Sequence, residues 1–536
     1  LDENVPSTKT FRVYSVAFVD WNNDGRLDVF FTTFNRGNFV ALNQDGDIKD
    51  ELIKVPNGNG ILTVSPSFGD FDRNGYLDVY NGNMALGIVT GFSAYGKGRR
   101  NSVTMNHSLE YKEQELDEFD GESMASLVSD FNGDGWLDIY VNNDFTVPDY
   151  LYFGQSGGGF QLEGSQQRAK RGGPIFSMSI DTADFNNDGK LDYVSSGTLN
   201  VANSLRKKPI IDGAPYENYA QHKHSAEWCH KIKQDYYRLR CLEDRQLSKT
   251  INLRQMPRLS VESCTKLSDK TRRDDCLLAV MWMIVTSNKA SENCKQDFGF
   301  DPIIMEVCEL HKSKKAAYKK NDIQGYMPQG NQPFLYFASK GDYKKVPFRH
   351  PGGWTWSMKA ADLDNDGWQD IFNAEGAVRQ GQFGFNVLMR NKEGRGFEQK
   401  QFSWNLVDDF GMFSFTFLDY DNDGDLDIIA NSAIAPIRVF ENRLNENKRV
   451  AFSIRSQSGN VFGIHSKITI ITSNGDSQLR EIKAGGGYQS FDAPVAYFGL
   501  GKGEAVRSVQ IQRPGQPVVT LEKSFPAGAH YQIHLK

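Results

Sequence analysis

Short apolar runs recur along this chain, each broken by a polar turn. Val13 to Val19 is apolar and rich in valine. An acidic stretch follows it, and then comes Val29-Phe30-Phe31. The rhythm returns at Val79-Tyr80, Ile139-Tyr140-Val141, Tyr193-Val194, Ile371-Phe372 and Ile428-Ile429, with Ser414 to Leu418 leading into the last. Runs of this length, rich in β-branched and aromatic residues and bounded by Gly, Asp and Asn, predict strands. Asp149 to Phe153, Phe334 to Phe337 and Asn386 to Met389 fit a further strand in each unit.

The turn between the first two strands of each unit is a nine-residue phrase: Asp, any residue, Asp or Asn, any, Asp or Asn, Gly, two more, Asp. Its copies are DWNNDGRLD, DFDRNGYLD, DFNGDGWLD, DFNNDGKLD, DLDNDGWQD and DYDNDGDLD, starting at Asp20, Asp70, Asp130, Asp184, Asp362 and Asp419. Side-chain oxygens at alternate positions can converge on one hard cation, and Gly at position six permits the sharp turn that brings them together. The phrase therefore predicts a calcium loop. An EF-hand is excluded, because position twelve is Phe31, Asn81, Val141, Ser195, Asn373 or Ala430 rather than Glu, and strands, not helices, flank the loop.

The expected ligands take positions one, three, five, seven and nine. They are Asp20, Asn22, Asp24, Arg26 and Asp28 in the first loop, and Asp70, Asp72, Asn74, Tyr76 and Asp78 in the second. The third has Asp130, Asn132, Asp134, Trp136 and Asp138, and the fourth Asp184, Asn186, Asp188, Lys190 and Asp192. The fifth has Asp362, Asp364, Asp366, Trp368 and Asp370, and the sixth Asp419, Asp421, Asp423, Asp425 and Asp427. Position seven lends only its backbone carbonyl, so its side chain is free to vary. About six Ca²⁺ are expected, held most tightly by the two loops without Asn, at Asp362 and Asp419.

The loop starts are 50, 60, 54, 178 and 57 residues apart. A unit of about 55 residues holds about four strands, the size of a propeller blade. The fold expected is mainly β: a six-bladed β-propeller, or a seven-bladed one if a blade lacks the loop. The long interval holds an extra segment rich in charged residues, with helical periodicity at Ala226 to Glu243 and Ser268 to Val285. The domains expected are blades one to four in residues 1–204, an inserted helical domain at 205–330, the rest of the propeller at 331–447 and a small all-β domain at 448–536.

All six cysteines lie in the insertion: Cys229, Cys241, Cys264, Cys276, Cys294 and Cys308. Such confinement predicts three disulfides and an oxidising compartment. Pairing Cys229 with Cys276, Cys241 with Cys264 and Cys294 with Cys308 is one of fifteen possible connectivities. His222, His224 and His230 beside Cys229 could ligate zinc or copper, though a polar linker entering a helix explains them equally. Net charge is −6, and the loops carry twenty carboxylates at positions one, three, five and nine alone, so the acidity reports ion binding. Six Ca²⁺ would reverse its sign. The short basic run Lys97-Gly98-Arg99-Arg100 has no aromatic platform for nucleic acid. The longest apolar run, Cys276 to Val285, is too short to cross a membrane. No signal peptide is visible at Leu1, and the expectation is that the numbering starts at a mature N-terminus.

These phrases resemble the FG-GAP, or VCBS, calcium-loop repeats of integrin-like propellers. The stretch Tyr140-Val-Asn-Asn-Asp144-Phe-Thr-Val-Pro148-Asp-Tyr-Leu-Tyr152 resembles one found in proteins related to cartilage acidic protein. Gly463-Ile-His-Ser-Lys-Ile, Arg480-Glu-Ile-Lys-Ala-Gly485-Gly-Gly-Tyr488-Gln-Ser and Phe498-Gly-Leu-Gly501 are similar to the ASPIC/UnbV domain. The resemblance implies a secreted or surface calcium-binding propeller and no particular reaction.

No phosphate-binding or nucleophile motif occurs. Gly485-Gly486-Gly487 and Gly499 to Gly503 read as β-turns. Trp354 and Trp356 could stack on sugars from a rim, or pack between blades. The expected role is binding a protein or glycan partner, with the insertion supplying specificity because function concentrates where a scaffold is decorated. The place expected is secreted, cell-surface or periplasmic. The rival is a calcium-assisted polysaccharide lyase or hydrolase in a central cleft, with His107, His350 and Arg349 as candidate groups. A propeller lectin is a third reading.

Overall fold

The computed structural model describes residues 13–33, 36–58, 62–84, 101–116, 123–144, 149–164, 171, 177–197, 334–339, 342–347, 355–375, 386–406, 412–432, 436–444 and 446–536. All fall in one compact unit. The insertion expected at 205–330, with its helices, six cysteines and His222, His224 and His230, lies outside the described residues. So do Lys97 to Arg100, Arg349, His350 and Trp354.

The described chain is mainly β. Sheet one contains β1 (Val13–Val19), β2 (Asp28–Thr33), β3 (Gly37–Gln44) and β4 (Asp47–Val55). Sheet two contains β5 (Thr63–Gly69), β6 (Asp78–Asn83), β7 (Ser102–His107) and β8 (Glu110–Glu115). Sheet three contains β9 (Ser123–Ser129), β10 (Asp138–Asn143), β11 (Tyr150–Gln155) and β12 (Gly159–Leu162). Sheet four contains β13 (Ser177–Ala183), β14 (Asp192–Gly197), β15 (Phe334–Ser339) and β16 (Asp342–Pro347). Sheet five contains β17 (Thr355–Ala361), β18 (Asp370–Glu375), β19 (Val387–Asn391) and β20 (Phe397–Gln399), and sheet six contains β21 (Met412–Leu418), β22 (Asp427–Ser432) and β23 (Arg438–Phe440). Every sheet is an antiparallel meander in chain order. Successive meanders of this kind are consistent with a β-propeller.

One local rule builds all six. The first strand ends one residue before position one of the loop, and the second begins at position nine. Each first strand also carries a bulge near its start, which skips Tyr14, Val64, Met124, Met178, Trp356 or Phe413 in the register. A bulge bends the strand and re-aims one side chain. Between sheets the contacts are large and apolar: Tyr140 meets Tyr193 at 5.4 Å, and Phe372 meets Phe415 edge-on at 4.9 Å.

Residues 448–536 form two further sheets. In one, β24 (Lys448–Ser456) lies between β27 (Val495–Gly501) and β31 (His530–Leu535), and is parallel to β31. In the other, β25 (Lys467–Thr472) pairs with β26 (Ser477–Glu481) and β28 (Ala505–Gln512), while β29 (Val519–Leu521) and β30 (Phe525–Pro526) pair with β28. Their apolar core is continuous with that of sheets one and two, joining Ile454, Phe462 and Phe498 to Trp21, Phe30 and Phe68.

Residues 484–492 touch the first strand of every one of the six sheets. The Ala484 carbonyl accepts from Phe68 N at 3.0 Å, Gly486 N donates to Ser126 O at 3.0 Å and Gly487 N to Ile180 O at 2.8 Å. Tyr488 N donates to Ser357 Oγ at 3.1 Å, and the Asp492 carboxylate accepts from Phe417 N at 2.9 Å. The Tyr488 hydroxyl meets that of Tyr14 at 2.9 Å. The first strands thus converge on one peptide. Gly485 to Gly487 serve this close approach more than a hairpin turn: a Cβ on Gly487 would lie 2.8 Å from Ser357 Oγ, and one on Gly485 2.5 Å from Ser67 Oγ. Trp356 points into the same region, 4.6 Å from Phe413 and 5.4 Å from Tyr488 by ring centroids. That is packing, not a platform for sugars.

Gly487→Ala is expected to cost about 2–4 kcal/mol, from overpacking and from a left-handed backbone. Gly157→Ala, also left-handed but with nothing near its Cβ, should cost only about 1 kcal/mol. Urea unfolding measures both, and equal losses would mean that the 484–492 contacts contribute little.

Candidate metal centres

The six loops share a backbone shape that the phrase only half expresses. Position six is left-handed throughout, with φ of 81–96° at Gly25, Gly75, Gly135, Gly189, Gly367 and Gly424. Position four, read as any residue, is left-handed too: Asn23, Arg73, Gly133, Asn187, Asn365 and Asn422 have φ of 53–77°. Asn and Gly tolerate that conformation, so five of the six choices have a steric cause.

Three contacts then recur in every copy. The position-five oxygen accepts from the backbone N–H of position seven, at 2.7–3.0 Å. Asn74 serves as well as Asp here, because an amide oxygen accepts in the same place. One position-nine oxygen accepts from the N–H of position two, at 2.8–3.2 Å. The other accepts from an N–H of the third strand, at Asn43, Asn106, Gly154, Ala338, Asn391 or Asn442, at 2.7–2.8 Å. Position nine is thus a clasp between hairpin and third strand, whatever else it binds.

The loops also reach one another. Position four of one donates to the position-six carbonyl of the next: Asn23 to Gly75 O, Arg73 to Gly135 O and Asn187 to Gly367 O. Asn106, Asn391 and Asn442 donate to the position-eight carbonyl of their own loop and the position-two carbonyl of the preceding one. Sequence reading missed these asparagines, which stand at unequal distances from their loops. The available signal was an Asn at or just past the end of the third strand, before a turn, present in four of the six units as Asn43, Asn106, Asn391 and Asn442.

The donor set suits a hard cation. Three carboxylates in each of Asp70/Asp72/Asp78, Asp362/Asp364/Asp366 and Asp419/Asp421/Asp423 offer oxygens within 4.8 Å of one another. Asp70 Oδ1, Asp364 Oδ1 and Asp419 Oδ1 are buried with no protein partner. A buried, unpaired carboxylate oxygen is costly unless a proton or cation meets it. In the loops with Asn at position three, the Asn22, Asn132 and Asn186 amides donate to the position-five carboxylate at 2.9–3.3 Å, which relieves repulsion there.

Burial and then neighbouring loop carboxylates push Asp20, Asp70 and Asp184 up to about 6, Asp362 to about 7 and Asp138 and Asp192 to about 8. Asp78 and Asp370 move well upward for the same reasons. Backbone N–H bonds oppose the shift without cancelling it.

The position-seven side chains do vary. Arg26 turns back to Asp24 at 2.7 Å, Trp136 lies under the Arg73 guanidinium at 3.4 Å, and Asp425 is buried near Arg449. Among the rival's candidate groups, His107 stands 3.6 Å from Asp72 and 3.0 Å from the Asn74 amide, on the second loop.

Sheet, loop and acidic cluster together define a β repeat protein with an acidic loop in each hairpin. The FG-GAP-like repeat family matches residues 6–80 and 130–195, and the ASPIC and UnbV family matches residues 456–534. FG-GAP-like repeats and an ASPIC and UnbV domain are therefore present in the chain over those residues. The fifth and sixth loops lie outside the matched repeats yet follow the same rule. The chain is also similar to cartilage acidic protein 1: 28% identical over 202 residues to that of Homo sapiens and 30% over 203 to that of Mus musculus, each 35% of this chain. The Xenopus tropicalis protein is 29% identical over 139 residues, 24% of this chain. The matches cover 30%, 31% and 20% of those proteins, so the chain spans less than a third of the relatives it matches.

Two outcomes follow for protein held in a chelator. The raised carboxylates mean that the folded state binds more protons than the unfolded chain between about pH 4 and pH 8. Stability therefore falls as pH rises through that window, and the melting temperature at pH 5 should exceed that at pH 8. A flat or rising profile would contradict the burial of these groups. Asp138→Asn removes one acceptor of the clasp and should cost about 1–3 kcal/mol even without cation. Asp72→Asn instead relieves repulsion and should hold or raise stability in the same chelator. Chemical denaturation separates the two.

Proposed function

We propose that this protein is an extracellular six-bladed β-propeller stabilised by calcium, one ion per loop, which binds a protein or glycan partner. The observation that carries the reading is the sixfold clasp beside unpaired buried carboxylate oxygens. In each loop positions one, three, five and nine would hold the ion by side-chain oxygens, and position seven by its carbonyl. Calcium would supply the positive charge that this buried acidity lacks. The protein's own share is to fix those oxygens on backbone N–H groups, so that little rearrangement is needed.

The name of the relatives, cartilage acidic protein 1, fits an acidic matrix-associated molecule. No helix among the described residues is long and apolar enough to cross a membrane. The domain boundaries at 204/205, 330/331 and 447/448 belong to this reading, as does partner recognition by the insertion at 205–330. The lyase or hydrolase reading loses support, since residues 484–492 occupy the place where a central cleft would lie. A cavity of about 70 Å³ beside Arg480, Glu481 and Lys483 is far below the several hundred Å³ of a ligand pocket.

Metal analysis of the folded chain in millimolar calcium should find about six ions. Each loop at a hundredfold excess over its Kd adds about 2.7 kcal/mol, so EGTA should lower the melting temperature sharply and calcium restore it. Two ions or fewer, or unchanged melting, would remove the reading. Deleting 205–330 should leave a cooperative, calcium-binding protein without partner binding. Retained partner binding would move recognition to the propeller or the C-terminal domain.

A further inference from the structure

On carboxylate count the fifth loop should be one of the two tightest, with Asp at positions one, three, five and nine, as in the sixth. Its surroundings reverse that ranking. Arg390, on β19 and 27% exposed, places Nε 2.5 Å from Asp364 Oδ2 and Nη2 2.6 Å from Asp366 Oδ2. One guanidinium thus holds positions three and five together. No other loop among the described residues has both of these positions held as carboxylates by one basic side chain. Of its loop's carboxylates Arg26 pairs with Asp24, its other partner being Asp45 outside the loop, and Arg449 reaches Asp423 at 3.2 Å and the position-seven Asp425 at 3.8 Å. A second cation, Arg480, lies 3.7 Å from Asp362 at position one.

A guanidinium bonded to two carboxylates and a divalent ion seeking the same oxygens repel each other and compete for lone pairs. Arg390 has somewhere to go. Its Nη1 is already 3.6 Å from Glu398 Oε1 on β20, a half-exposed carboxylate that otherwise meets Lys400 at 3.3 Å. Asp364 Oδ1, buried and without a partner, stays available throughout.

We propose that Arg390 is a tethered competitor for the fifth loop, paired with Asp364 and Asp366 when no ion is bound and displaced toward Glu398 when one is. Loop five is then the exchangeable site that fills last. The inference rests on the calcium reading above and adds an order of loading to it. Loop five is also the loop most tightly joined to the C-terminal domain: Asp362 Oδ2 accepts from Gly499 N at 3.1 Å, and Asn365 O from Gly501 N at 2.9 Å. Its loading would be felt across that contact.

Equilibrium dialysis of the full chain against ⁴⁵Ca²⁺ tests this. In Arg390→Ala the weakest site should tighten roughly threefold to tenfold, the energy scale of one partly exposed ion pair, with total stoichiometry unchanged. Arg390→Lys should fall between it and wild type. Glu398→Gln, which removes the acceptor for the displaced side chain, should weaken the same site and keeps the test open if Arg390→Ala folds poorly. Melting in EGTA adds a second readout: Arg390→Ala should be less stable there and gain more on adding calcium. Normal loading by wild type with superimposable isotherms for all variants overturns this proposal alone. A wild type that binds no calcium overturns the calcium reading with it.

Discussion

Every hairpin depends on one carboxylate that the backbone needs and that water cannot reach. Position nine receives an N–H from its own loop and an N–H from the third strand, so removing its acceptors would leave two buried donors unmet. The same requirement brings a negative charge into the fold beside positions one, three and five. Burial without a partner drives such groups toward the protonated form. On the calcium reading proposed above, a cation would resolve the conflict that the backbone creates. In this protein the acidic loop is therefore part of the hairpin's construction rather than a decoration on it.

Repetition turns that local solution into a connected one. Side chains at position four reach the neighbouring loop, and asparagines at the ends of third strands join two loops at once. Charge in one loop is thus mechanically close to the next. Basic residues tune the loops unequally. Where Asn stands at position three its amide already meets the position-five carboxylate, whereas the fully acidic fifth loop recruits Arg390. Counting acidic residues ranks the loops by charge, but affinity follows the charge left after such neighbours are included.

The C-terminal domain belongs to the same assembly. Its residues 484–492 meet the first strand of each sheet, and its core runs on into sheets one and two. Ion pairs mark the join, Lys359 with Asp492 at 2.5 Å and Lys483 with Asp181, and His465 Nε2 lies 2.7 Å from Phe68 O. Breaking one partner of such a pair leaves a buried charge uncompensated.

The strands at Val13–Val19 and at the starts of each second strand were legible because alternation and β-branched composition are local signals, and the loops because a hard cation demands oxygens at fixed spacing. The left-handed residue at position four was legible in principle, since Asn or Gly stands there in five copies. The position-nine clasp was not, because its second donor arrives from a strand 15 to 146 residues away in the chain. Nor was the purpose of Gly485 to Gly487, whose lack of a Cβ makes sense only against Ser67, Leu127 and Ser357. By itself the sequence determined the repeated unit and its chemistry, since both are written within nine residues. Only the tertiary structure decided which carboxylates are buried, which basic side chain each one meets and what fills the centre, because those depend on distant segments sharing one volume.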